Sequence, residues 1–91
     1  MSDVRDDRAG SRYELAADGG GTAFAEYRLA GDTITFTHTV VPPELEGRGI
    51  GSGLVKGALD DVRARGLTVV PQCSFVAGYI GRHPDYRDLL A

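Results

Sequence analysis

The sequence predicts an α/β fold of the α+β kind: an antiparallel meander of about three strands, a βαβ crossover to a parallel strand, and a short C-terminal helix. Three observations predict it. Residues 22–41 alternate with the period of two that sends successive side chains to opposite faces of a sheet. Between positions 50 and 64 the apolar residues Ile50, Leu54, Val55, Ala58, Leu59 and Val62 recur at helical spacing. Residues 67–72 then form a brief, apolar, β-branched run of the sort found in strands beside a parallel neighbour.

The first strand is expected at 13–16, before Asp18-Gly19-Gly20-Gly21, whose residues readily take positive φ and close a hairpin. A second strand covers 22–29, with Ala23, Ala25, Tyr27 and Leu29 on one face. After the turn Ala30-Gly31-Asp32, a third strand covers 33–41, where Ile34, Phe36, His38 and Val40 share a face. Pro42 and Pro43 end it because proline cannot donate to a ladder. The helix over 50–64 stops at Gly66. The strand over 67–72, buried on both faces, completes a right-handed βαβ unit. Ser74 is the expected N-cap of a second helix carrying Phe75, Val76, Tyr79 and Ile80. That helix ends near Arg82, since His83 precedes Pro84. A last turn over 85–90 packs Tyr86, Leu89 and Leu90 on the body.

A chain of 91 residues holds one hydrophobic core, so 12–91 reads as a single domain and 1–11, rich in Asp and Arg, as a flexible lead-in. The net charge of −3 gives no electrostatic footprint for nucleic acid. One cysteine and two histidines far apart offer neither a disulfide nor a zinc-ligand set, so no metal is expected. No apolar run approaches the roughly 20 residues that span a bilayer. The N-terminal residues lack the apolar stretch of a secretory signal, and a cytoplasmic location is the expectation. Oligomeric state leaves no mark on the sequence, with which a monomer is compatible.

The segment Glu46-Gly47-Arg48-Gly49-Ile50-Gly51-Ser52-Gly53 lies between a strand end and a helix start. The first helical turn has unpaired N–H groups and a partial positive charge, and glycine lets a phosphate approach them closely. Arg48 can add a charge-assisted bond. The bland alternative is a tight strand-to-helix connection. Two nucleotide motifs fail on spacing: no Gly-Lys pair occurs for G-x-x-x-x-G-K-[ST], and G-x-G-x-x-G meets Ser52, Leu54 or Lys56 at its sixth position.

In that position, residues 40–51 resemble the acetyl-CoA signature [QR]-x-x-G-x-[GA] of the GNAT superfamily of N-acetyltransferases. Residues 71–79 and the run His83-Pro84-Asp85-Tyr86 are similar to a short branch that keeps little beyond the cofactor-binding core. The resemblance covers 33–90. It implies a GNAT-like fold and an acetyl-CoA or coenzyme A cofactor. The pantetheine arm would run along Val40 and Val41, and the diphosphate would lie on Gly47, Arg48, Gly49, Ile50, Gly51 and Ser52. It also places the thioester toward Cys73 and Tyr79. Glu46 departs from the pattern by standing where the family usually has Arg or Gln.

Acetyl transfer to an amine requires a deprotonated nucleophile. For a lysine of pKa ~10.4 that costs about 4.6 kcal/mol at pH 7. A histidine's ordinary pKa lies close to working pH, which makes His38 the candidate base; the alternative is a half-buried histidine with one satisfied hydrogen bond. Cys73 reads as a small buried hydrophobe. The resemblance puts it beside the acetyl group, either as an acetyl carrier or lining a pocket for direct attack, the simpler route because nothing basic lies adjacent in sequence. Tyr79 either protonates the departing thiolate, as its counterpart does in family members, or packs. The resulting expectation is an acetyl-CoA-dependent N-acetyltransferase acting on a primary amine, small-molecule or protein. The other reading is a non-catalytic CoA or acyl-CoA binder, or an interaction module on the same fold.

Overall fold

A computed structural model describes residues 3–17 and 20–91. Five strands follow one another across a single sheet: β1 (Arg5–Asp7), β2 (Arg12–Ala16), β3 (Thr22–Ala30), β4 (Thr33–Val40) and β5 (Thr68–Pro71). The first four pair antiparallel, and β5 pairs parallel to β4 from Thr33↔Thr68 to Phe36↔Pro71. Helix α1 (Ile50–Ala64) makes the crossover between β4 and β5, and α2 (Ser74–Arg82) follows β5. Short 3-10 turns at Pro43–Leu45 and Pro84–Leu89 complete the chain.

One core joins the sheet to both helices. Tyr13, Ala23, Ala25, Tyr27, Ile34 and Phe36 from the sheet meet Leu54, Val55, Ala58, Leu59 and Val62 of α1 and Val76, Tyr79 and Ile80 of α2. The spacing seen in the sequence is the cause, since those α1 positions form one stripe along its axis. Gly66, at φ 71°, ends α1 by letting its own N–H reach Arg63 O and that of Leu67 reach Val62 O.

Several expectations are corrected. Residues 1–11 are not all lead-in, because Arg5–Asp7 pairs with β2 and Asp6 accepts from Tyr27 Oη at 2.6 Å and from Arg65 Nη1 at 3.1 Å. Strand β5 is buried on one face only: Val69 is sealed, while Val70 stays accessible, because both helices pack against the same side of the sheet. Cys73, not Ser74, is the N-cap residue of α2. Leu29 and Leu90 remain partly exposed. The turn expected at Asp18-Gly19-Gly20-Gly21 falls partly outside the described residues. Within them, Ala17 N donates to Gly21 O and Gly20 N to Ala17 O, with Gly20 and Gly21 at positive φ.

The largest correction concerns β4. Glu26 pairs with His38 and Tyr27 with Phe36, so Thr37 is an extra residue on β4. A bulge of one residue sends every side chain beyond it to the other face. Thr39 and Val41 therefore turn toward the helices, while His38 and Val40 turn away from Ile34 and Phe36.

Candidate functional site

Beyond Phe36 the chain after β5 no longer pairs with β4 as a strand. The last link is Cys73 N donating to Phe36 O at 2.9 Å, after which α2 begins. The edge of β4 over 37–40 that faces β5 is thus left without a strand partner, and a cleft opens between it and the head of α1. The cleft measures about 710 Å³, and Val40, Val41, Gly47, Gly49, Ile50, Gly51 and Ser52 all line it. Seven of the eight expected cofactor-binding residues therefore meet in one place. Arg48 does not: it is exposed and contributes nothing to the lining.

The head of α1 is open. Gly49, its N-cap, is left-handed at φ 74°, and Gly47 stands at φ 80°. No side chain caps the helix, and among the described residues no protein group accepts from the N–H groups of Gly47 to Ser52. A Cβ built on Gly47 or Gly49 meets nothing within 4 Å, so both glycines are there for backbone conformation and open toward solvent. Gly51 differs. A Cβ there would come within 2.6 Å of Phe75 Cζ and 3.2 Å of Val41 Cγ2, so this glycine lets the helix head close onto α2 and β4. The loop is anchored by Leu45, buried on its 3-10 turn against the Gly21 position.

Cys73 borders the cleft through Thr39, to whose Oγ1 its Sγ donates at 3.3 Å. Partial burial works against the thiolate, but the Thr39 hydroxyl and the backbone N–H groups of Val76 and Phe75 outweigh it, so the thiol lies below its ordinary pKa. No basic group is among these causes, in keeping with the absence of a basic residue adjacent in sequence. The activating groups are the amides of the helix it caps, which appear only once Cys73 is placed at a helix start and not inside a strand.

The other two candidates lie elsewhere. His38 is on the opposite face of the sheet from Thr39, with a side chain 75% exposed and Nδ1 4.0 Å from Glu26 Oε1. It borders a separate hollow of about 380 Å³ that also touches Gln72. The half-buried alternative is corrected as well. Tyr79 is 3% exposed and does not line the cleft; its ring stacks on His83 at 3.9 Å between centroids. Burial raises its pKa. Its position on α2, with Val76 and Ile80, is the packing role.

Sequence reasoning missed Thr39, Leu45 and Phe75 as cleft residues, while Glu46 lies on the lining beside the glycine turn where the signature places it. Thr39 was hidden by the bulge. Phe75 shares the helical spacing of Val76, Tyr79 and Ile80, and only its place at the margin of that stripe sets it on the cleft.

The match to known proteins agrees with this geometry. The family model for GCN5-related N-acetyl-transferase matches residues 12–89. The chain belongs to the GCN5-related N-acetyltransferase family. A GCN5-like candidate N-acetyltransferase from Staphylococcus aureus, solved by NMR, has a TM-score of 0.73 and 26% identity over 100% of this chain and 91% of its own. No curated protein matches the chain. Among the described residues, no group of acidic, histidine or cysteine side chains could hold a metal and no helix is long and apolar enough to cross a membrane. As in other members of the GCN5-related family, acyl transfer is the general activity to be explained.

Proposed function

We propose that the chain is an acetyl-CoA-dependent N-acetyltransferase that delivers its acyl group to a primary amine. The observation that carries this reading is the set of unpaired N–H groups from Gly47 to Ser52, opened by left-handed Gly47 and Gly49 beside a bare strand edge. A diphosphate suits those amides and an amide-bearing pantetheine arm suits the strand edge. Bound there, the cofactor would supply an activated thioester.

Glu46 on the cleft wall opposes an anion, and magnitudes decide the balance. A charged acceptor gains roughly 1.5–3 kcal/mol from each hydrogen bond it receives. One carboxylate several ångströms away across solvent costs on the order of 1 kcal/mol. Several amides therefore outweigh one carboxylate.

The acyl carbon would sit near Thr39 and Cys73. In direct attack the amine lone pair adds to the carbonyl carbon, the carbon–sulfur bond breaks, and the thiolate leaves while the nitrogen loses a proton to solvent. The lowered thiol pKa of Cys73 favours a second route, in which its thiolate would add to the carbonyl carbon and the donor's carbon–sulfur bond would break with loss of the donor thiolate. The amine would then take the acetyl group from Cys73, free its thiolate again and lose a proton to solvent. Neither route is assigned to Tyr79, whose ring stacks on His83 and does not line the cleft.

The test is a titration with acetyl-CoA followed by amide chemical shifts, then release of CoA thiol with polyamines, lysine peptides and aminoglycosides as acceptors. Shifts concentrated over 47–52, with acceleration by one amine class, are expected. Shifts without acceleration by any amine would leave a CoA-binding module in place of an enzyme. No shifts at millimolar acetyl-CoA would end the proposal.

A further inference from the structure

The sheet face that neither helix covers carries the hollow of about 380 Å³, lined in part by Glu26, Arg28, Thr37, His38 and Gln72. It stands back to back with the cleft. On both sides of the split between β4 and β5, neighbouring residues divide between the two spaces. Thr39 lines the cleft and His38 the hollow, while Cys73 contacts Thr39 and Gln72 lines the hollow. Backbone links across the split end at Phe36, beyond which it is crossed by the side-chain contact of Cys73 with Thr39. The charges of the bare face are unevenly committed. Arg5 and Arg12 are both held by Glu14, whereas Arg28 is exposed and, among the described residues, has no carboxylate within ion-pair distance. Glu26, two residues away on the same face of β3, is met by His38 Nδ1 at 4.0 Å.

We infer that this hollow holds the acceptor, and that Glu26 and Arg28 together select an amine that also carries a carboxylate. The inference rests on the donor-cleft reading above. Glu26 pairs with His38 at the level of the split, so an ammonium drawn to its carboxylate stands beside the passage to Cys73 and Thr39. Arg28 lies farther back, opposite Thr35, where β4 is still paired with β5. Successive residues on one face of a strand are about 7 Å apart. The two charges therefore match an amine and a carboxylate separated by a few bonds, the acid being held by arginine's fork. Charge complementarity also excludes. A second ammonium on the acceptor would meet Arg28, and an acceptor without an acid would leave that guanidinium unpaired. The hollow thus favours a zwitterion over a diamine or a simple amine.

The experiment follows CoA thiol release from acetyl-CoA by the full chain with four probes of one carbon length: 4-aminobutanoate, 4-aminobutanamide, butylamine and 1,4-diaminobutane. The KM for 4-aminobutanoate is expected to lie at least about tenfold below the other three. Arg28→Ala should raise that KM at least about tenfold, with kcat within about threefold, and erase the preference for the acid over its amide. Arg28→Lys should keep part of the preference. Titration of 4-aminobutanoate should move the amides of Glu26, Arg28 and His38, apart from those over 47–52 that acetyl-CoA moves. The inference is overturned if the amide or the diamine is used as well as 4-aminobutanoate, or if the preference survives Arg28→Ala. Acetyl-CoA shifts over 47–52, with neither acceleration by any of the four probes nor shifts in the hollow, would overturn it and leave the donor-cleft reading standing. Absence of the acetyl-CoA shifts themselves would overturn both.

Discussion

Cys73 Sγ donates to Thr39 Oγ1 across the gap where β4 and β5 part, at 3.3 Å. This contact ties the N-cap of α2 to the cleft-facing side of β4, and the same hydroxyl can turn its own proton toward a thiolate. Alkylation of Cys73 by iodoacetamide should therefore follow an ionisation below that of an ordinary thiol. In Thr39→Val the inflection should move up, because one of the groups favouring the thiolate is gone while the helix amides remain. An unchanged inflection in the variant would remove Thr39 from the account. Intact-mass detection of acetylated Cys73 after mixing with acetyl-CoA alone separates the covalent route from direct attack.

Gly49 makes the cradle testable without touching the core. Gly49→Asp puts a carboxylate at the open helix head and should weaken acetyl-CoA binding at least about tenfold, or about 1.4 kcal/mol. Gly49→Asn has nearly the same shape and tolerates left-handed backbone well, so it separates charge from conformation and should bind more tightly than the Asp variant. Cys73→Ala should bind within about threefold of the parent chain. If Asp and Asn at position 49 weaken binding equally, strain and not charge is responsible.

Much of this architecture could be read from residues. The α1 stripe, the Gly66 stop, and the strands over β2 to β4 follow from periodicity and turn chemistry, and the glycine-rich turn lies where the helix amides are free. What escaped has physical causes. Thr37 adds one residue to β4, and no local preference marks a bulge among alternating threonines; everything beyond it, His38 and Thr39 included, was assigned to the wrong face. Arg5–Asp7 looks like a solvated lead-in because its stabilisation comes from 21 and 59 residues away, at Tyr27 and Arg65. Such partners are invisible to local pattern.

Gly51→Ala tests the packing of the helix head. Alanine favours a helix over glycine by about 1 kcal/mol, yet its Cβ would lie 2.6 Å from Phe75 Cζ. Overpacking of this kind costs roughly 1–3 kcal/mol. Phe75 is partly exposed and can swing outward, which places the net loss at the lower end, about 1 kcal/mol by denaturant midpoint. The double variant Gly51→Ala with Phe75→Leu should recover most of it. A stabilised single variant would show that the ring yields without cost.

Asp6 is the anchor of β1. Its carboxylate, 13% exposed, accepts from Tyr27 Oη, Arg65 and Arg8. Asp6→Ala leaves a buried tyrosine hydroxyl and a largely buried guanidinium short of a partner, a loss of about 1–3 kcal/mol. Hydrogen exchange should rise first at the amides joining β1 to β2, while the cleft keeps its affinity for acetyl-CoA. Uniform loss of protection would mean that β1 is no separate unit.

The tyrosines give the chain a defined alkaline limit. Burial first, and then hydrogen bonds to carboxylates, push Tyr27 and Tyr86 up to about 12, with Asp6 and Asp60 as the respective acceptors. Tyr13, donating to Asp61 at 2.6 Å, is raised further by the same causes. The sign follows from which state ionises first. Below pH ~10 both folded and unfolded tyrosines are neutral, and the full stabilisation is present. Between about 10 and 12 the unfolded chain loses these protons while the folded chain retains them, so ionisation draws the equilibrium toward unfolding. The denaturation midpoint should therefore hold steady up to about pH 10 and fall toward pH 12, with tyrosinate absorbance appearing together with loss of the far-ultraviolet signal. Tyr86→Phe, which removes one titrating group, should make that fall shallower. Complete tyrosine ionisation near pH 10 in a chain that keeps its secondary structure would contradict the hydrogen bonds to Asp6, Asp60 and Asp61 as described.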